Sequence, residues 1–148
     1  MDTGATHHFF TKSSTPVLSN INLVADGIRV LLPNNAVIES THKAHINIPT
    51  LPPAATETHL FSSLASGNLL SIGQLCDNGC TAHFTKDTAT ISFRDQPILR
   101  GTRNSQTKLW HLTNQSNYLN TCIVTLCQRH NWSTKHSRSH SVLPCGFV

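Results

Sequence analysis

Apolar residues in this chain come in short β-rich runs, and each run is cut off by residues that turn or stop a strand. In "IRVLLPNNAVIES", runs at 28–32 and 36–38 flank Pro33, Asn34 and Asn35, a sequence suited to a tight reversal, so the segment reads as a β-hairpin. In "KAHINIPTLPP", Ala44, Ile46 and Ile48 alternate inward until prolines 49, 52 and 53 intervene. Proline cannot continue a central strand, which therefore ends near Ile48. "CTAHFTKDTATISFRDQPILRG" alternates around a Lys86-Asp87 reversal, and "KLWHL" supplies a last short strand. After the opening residues the chain is rich in Ser, Thr and Asn, with Pro16 and Asp26-Gly27 as turn signals, which fits strand and loop rather than helix. Leu69, Leu70, Ile72 and Leu75 depart from this pattern. They predict a buried strand running into one short helix over 70–78 that stops at Asn78-Gly79. The expected class is all-β with one short helix, in a closed or sandwiched arrangement.

A length of 148 residues suits one domain with a sizeable core. With 38% hydrophobic and 12% charged residues, the chain is too apolar for a solvated disordered protein. It has no run of 18 apolar residues and no basic or apolar leader, so the expected location is cytoplasmic, with no membrane partner. Five cysteines, an odd and unevenly spaced set, then read as reduced thiols. The Asn114 and Asn131 sequons carry no glycan on this reading. All seven acids lie in residues 1–95 against five Lys/Arg, whereas residues 96–148 hold six Lys/Arg and no acid. The predicted division is a globular unit over 1–113 and a basic, linker-like, disordered tail over 114–148, with the apolar patch 122–126 as the tail's ordering element. Such a tail would touch nucleic acid weakly and without sequence preference, or serve as a solvated connector.

The opening "MDTGATHHFF" places Asp2, Thr3 and Gly4 in succession. A carboxylate of tuned pKa can act as general base on water, and two that share a proton can act as base and acid together. The glycine lets two backbones approach closely. No second copy of the motif follows: Asp87-Thr88-Ala89 has alanine where glycine is needed and reads as a turn. A catalytic Asp2 therefore requires its partner from a second chain across a two-fold axis. His7 and His8, adjacent on a strand, point to opposite faces and make a poor chelating pair, one at the core edge and one exposed. Neither Cys76-x3-Cys80 nor Cys122-x4-Cys127-x2-His130 has zinc-knuckle spacing. No metal and no cofactor are expected.

Three segments in order, "DTGATHHF" at 2–9, "NLLSIGQL" at 68–75 followed by "NGCTAHF" at 78–84, and "LWHL" at 109–112, make residues 2–112 resemble the protease segment of copia-type retrotransposon Pol polyproteins, relatives of the retroviral aspartic proteases. The resemblance implies a retropepsin-like closed β-barrel, working as a homodimer on polyprotein peptide substrates. It implies that Asp2 activates the attacking water, Thr3 braces the loop across the dimer and Gly4 permits the close approach. Pro33, Asn34 and Asn35 would take the place of the substrate-covering flap. Leu69, Leu70, Ile72 and Gly73 would pack beneath the catalytic loop. With Met1 alone before Asp2, the expectation is a barrel lacking its amino-terminal strand, in a truncated or decayed copy. The rival reading is a non-enzymatic β-barrel interaction module of a Pol remnant.

Overall fold

The computed structural model describes residues 5–32, 34–62, 64, 67–113 and 124–126. After β1 (His8–Thr11) a 3-10 turn (Lys12–Val17) leads to β2 (Leu18–Leu23), and β3 (Arg29–Leu31) and β4 (Val37–Glu39) form a hairpin. Next come β5 (His42–Ile46), helix α1 (Pro53–Thr56), β6 (Glu57–Phe61), β7 (Asn68–Leu70) and helix α2 (Ile72–Asp77). A meander of β8 (Cys80–Phe84), β9 (Thr88–Phe93), β10 (Gln96–Arg103) and β11 (Trp110–Thr113) follows, and β12 (Val124–Leu126) ends the described chain.

The mostly β class is as expected, and the helix predicted over 70–78 occurs as α2. It stops at Asn78 and Gly79, the latter at φ +86°. The expectation of one short helix is corrected: the described residues contain three short helical segments. The proline tract accounts for α1. Pro53 sits at the first helical position, where its missing N–H costs nothing and its fixed φ suits the turn. β5 itself stops at Ile46, two residues before the expected end and ahead of the first proline. Pro16 lies within the 3-10 turn.

Among the described residues ten strands form one sheet in the order β2-β5-β6-β1-β7-β12-β11-β10-β9-β8. The end strands β2 and β8 each have one neighbour, so among the described residues the sheet does not close into the expected barrel. At the β2 edge the register slips between Ser19 and Asn22, with Asn20 at φ +50°, an irregularity of the kind that twists an edge away from further pairing. Residues 1–4, which the missing-strand expectation concerns, lie outside the described residues.

One apolar cluster runs through the sheet from Phe10 and Leu60 through Leu70 and Leu75 to Ile91, Leu99 and Leu112. Strand alternation produces it: Ala89 and Ile91 of β9, Leu99 of β10 and Leu112 of β11 are all at most 1% exposed. Residues 124–126, inside the segment read as tail, pair with β7 on one side and β11 on the other. Residues 114–123 and 127–148 lie outside the described residues.

Candidate functional site

The chain that emerges from the Asp-Thr-Gly segment enters the middle of the sheet. β1 pairs in parallel with β6, His8 opposite Thr58, and antiparallel with β7 at Phe9 and Leu69. Asp2, Thr3 and Gly4 themselves lie outside the described residues. The first described residue, Ala5, is already held: the Ser71 hydroxyl donates to its carbonyl at 2.7 Å.

Ser71 is the N-cap of α2, and its Oγ accepts the Gln74 N–H at 3.1 Å. Ser-x-x-Gln before an apolar run is the signature of a capping box, in which the Gln side chain would reach back to the Ser N–H. Here that half of the box is replaced. The Ser71 N–H donates to His8 Nδ1 at 2.9 Å. The Gln74 side chain crosses instead to three other segments: Oε1 accepts the His8 N–H at 2.9 Å, while Nε2 donates to the carbonyls of Ala54 at 3.0 Å and Glu57 at 2.8 Å.

These partners determine the state of His8. A backbone N–H can only donate and a carbonyl can only accept. Nδ1, facing the Ser71 N–H, is therefore bare, and Nε2 carries the proton that it donates to the Ala55 carbonyl at 2.9 Å. The ring is 0% exposed, and burial pushes its pKa from 6.5 down to about 4. His7 is exposed, as expected for one of the pair, whereas His8, the first residue of β1, is fully buried rather than at the core edge.

Of the residues expected to support the loop, Leu70 is buried in the core, Leu69 is half-buried and Ile72 packs against the core from the first position of α2. Gly73 is exposed, and among the described residues a Cβ there would come no closer than 3.8 Å to Ser71 Oγ. Hydrogen bonds from Ser71 and Gln74, not contacts of Gly73, join this element to β1. Spacing had not singled out Ser71, Gln74 or His8 for this work, although the Ser-x-x-Gln signature was readable.

The hairpin is a two-stranded sheet of its own. Its tip closes with Leu32 N–H donating to the Ala36 carbonyl at 2.8 Å and Ala36 N–H to Asn34 Oδ1 at 3.0 Å, with Asn35 at φ +63°. Asn34 and Asn35 are exposed, and Pro33 lies outside the described residues. Leu31 and Val37, cross-strand partners, stay 67% and 50% exposed. At the base, Ser40 N–H donates to the Ile28 carbonyl at 3.0 Å and Ser40 Oγ accepts the Ile28 N–H at 2.9 Å.

Beyond the hairpin base, Ser40 Oγ lies 3.4 Å from His59 Nδ1. Burial first, then the Lys43 and His7 charges, holds His59 below its ordinary pKa. Lys43 bonds Glu57 at 3.1 Å and holds that carboxyl below its usual range. Among the described residues no group of three His, Cys, Asp or Glu is placed to hold a metal ion. No helix among them is long and apolar enough to cross a membrane. An open groove of about 350 Å³ lies at Ser19, His45, Ile48, Pro53 and Thr56, and none of the candidate catalytic, flap or loop-support residues lines it.

Comparison with family models, with characterised proteins and with solved structures returns no match.

Proposed function

We propose that the chain is a retropepsin-like aspartic endopeptidase domain of a copia-type retrotransposon, acting on polyprotein peptides as a homodimer. One observation carries the reading: the "NLLSIGQL" element lies against the chain that leaves Asp2-Thr3-Gly4, through β1–β7 pairing and the Ser71–Ala5 bond. A carboxylate loop needs such backing, because reacting groups must be held to within about 0.5 Å. Asp2 and its counterpart in the second copy share one proton. The ionised carboxylate takes a proton from water as the water oxygen adds to the scissile carbonyl, and the protonated one donates to the carbonyl oxygen. A proton then passes to the amide nitrogen as the C–N bond breaks. The exposed Leu31 and Val37 pair gives the hairpin an apolar surface for a bound peptide to cover.

The test is cleavage of a peptide library by the purified chain between pH 3 and 8, alongside Asp2→Asn. Cleavage strongest in mildly acidic buffer and abolished in Asp2→Asn is the expected result. Undiminished cleavage by Asp2→Asn moves the active site elsewhere. Absence of cleavage by a chain that forms dimers favours the interaction-module reading.

A further inference from the structure

His8 occupies a position that the capping geometry leaves for another residue. The Ser71 N–H is an N-cap donor that Gln74 would ordinarily satisfy, but Gln74 is committed to His8 N–H, Ala54 and Glu57. His8 Nδ1 takes that N–H, and Ser71 is thereby held with its hydroxyl on Ala5. We propose that His8 is a positioning residue and a proton-operated latch: neutral, it holds Ser71 and through it Ala5, and protonated, it releases the chain that follows Asp2-Thr3-Gly4. The link to catalysis rests on the endopeptidase reading, whereas the latch itself stands on the described residues.

Adding a proton at Nδ1 turns the Ser71 contact from donor–acceptor into donor–donor. Both atoms are buried, Ser71 at 2% and His8 at 0% exposure, so the contact must open. Opening carries Ser71 Oγ away from Ala5. Meanwhile the Nε2 bond to Ala55 is available in either state. Release is therefore directed toward α2 and the loop rather than toward α1.

The surroundings favour the neutral ring. On β6, Thr58 stands opposite His8, while Glu57 and His59 flank it on the other face of the sheet, where Glu57 is engaged by Lys43 and His59 meets His7 edge-on at 5.3 Å. α1 and β7 contain no ionisable residue. α2 carries Cys76 and Asp77, neither of which figures among the causes acting on His8. Burial opposes protonation most, the Ala55 carbonyl offsets part of this by accepting from the ring, and the His7 charge opposes it further.

Nuclear magnetic resonance of the full chain tests the latch without relying on cleavage. Imidazole nitrogen shifts should report the Nε2–H form at neutral pH, and acid titration should move the Ser71 and Thr6 amides with the His8 midpoint of about 4. The Thr6 amide shares its peptide group with the Ala5 carbonyl. In His8→Asn, whose Oδ1 can still accept from Ser71 but does not titrate, those two amides should stay fixed over the same range. A His8 midpoint near 6.5, or Ser71 and Thr6 amides that ignore it, overturns the latch. So does unfolding in step with His8, seen as Ile91 and Leu99 amides moving with the same midpoint.

In the cleavage assay, wild-type activity should fall to half its plateau at the His8 midpoint, and His8→Asn should keep its plateau through that pH. An unchanged acid limb in His8→Asn, with cleavage still dependent on Asp2, removes the latch and leaves the endopeptidase reading intact. Coupled amide shifts in a chain that never cleaves remove the endopeptidase reading and leave the latch.

Discussion

The Ser71 hydroxyl and the Ala5 carbonyl, 66 positions apart in the chain, are joined by a 2.7 Å hydrogen bond. The same oxygen caps α2 through the Gln74 N–H. Ser71→Ala removes both, and loss of an N-cap costs about 1 kcal/mol before the Ala5 carbonyl is counted. The expected loss is about 1–2 kcal/mol in denaturant unfolding. Hydrogen exchange should quicken at the Gln74 amide. An unchanged midpoint and unchanged Gln74 exchange would mean that the Ser71 bonds carry little of the fold.

Gln74→Glu separates the roles of the two ends of that side chain. The Oε1 position would still accept the His8 N–H, but a carboxylate oxygen would replace the amide that donates to Ala54 and Glu57. At neutral pH the variant should lose about 1 kcal/mol, the net worth of a typical hydrogen bond, because the exposed Ala54 carbonyl can turn to water while the half-buried Glu57 carbonyl loses its donor. The new carboxyl has a folded pKa raised above its unfolded value. The penalty is therefore absent below about pH 4 and grows as pH rises through the folded pKa. Urea midpoints of wild type and variant should converge in acid; a gap independent of pH would contradict the donor–acceptor account.

What was readable in the sequence, and what was not, follows from the range of the interactions concerned. The β3–β4 hairpin was visible because the Pro33, Asn34, Asn35 turn is local, and Asn35 at φ +63° is the conformation its side chain tolerates. Arg94 and Asp95 also adopt positive φ, at +49° and +62° between β9 and β10. They are not the Asn-Gly type that marks such a turn, so that reversal went unread. The linear sheet order was hidden because it depends on pairings such as β1 with β6 and β7 with β12, which no local period encodes. Asp2-Thr3-Gly4 stood out as a motif of adjacent residues. The bonds among positions 8, 55, 71 and 74 arise from topology, and histidine at position 8 carries no local mark of Ala55, Ser71 and Gln74 as partners.

His8 also sets a pH dependence on stability. Its folded pKa, about 4, lies below the unfolded 6.5, so between those values the unfolded chain binds more protons. Stability is full above about pH 6.5 and is lost as pH falls toward 4, by about 3 kcal/mol for a depression of this size in a buried group. His59 acts in the same direction. Glu57 adds little, because its pair with Lys43 is 40–45% exposed. In His8→Asn the slope between pH 6.5 and 4 should flatten, and an unflattened slope would assign the acid loss to other groups.

The hairpin depends on a close approach at its base. A Cβ on Gly27 would overlap the Ser40 carbonyl and lie 3.0 Å from Glu39 Cγ, so glycine alone lets the chain pass the residue that closes the hairpin. Ser40 is 3% exposed and bonded to Ile28 through both its backbone and its hydroxyl, and so has little room to give way. Gly27→Ala should therefore cost about 1–3 kcal/mol, the usual range for overpacking. Its effect should be concentrated at the hairpin, because β3 and β4 form their own sheet and an isolated two-stranded unit is marginal in water. Exchange of the Ile28 and Ser40 amides should quicken at least tenfold while those of Ile91 and Leu99, in the far half of the large sheet, change little. If the hairpin covers peptide as proposed, KM should rise more than kcat falls. Uniform acceleration of exchange across both sheets would instead make the Gly27–Ser40 contact a support of the whole fold.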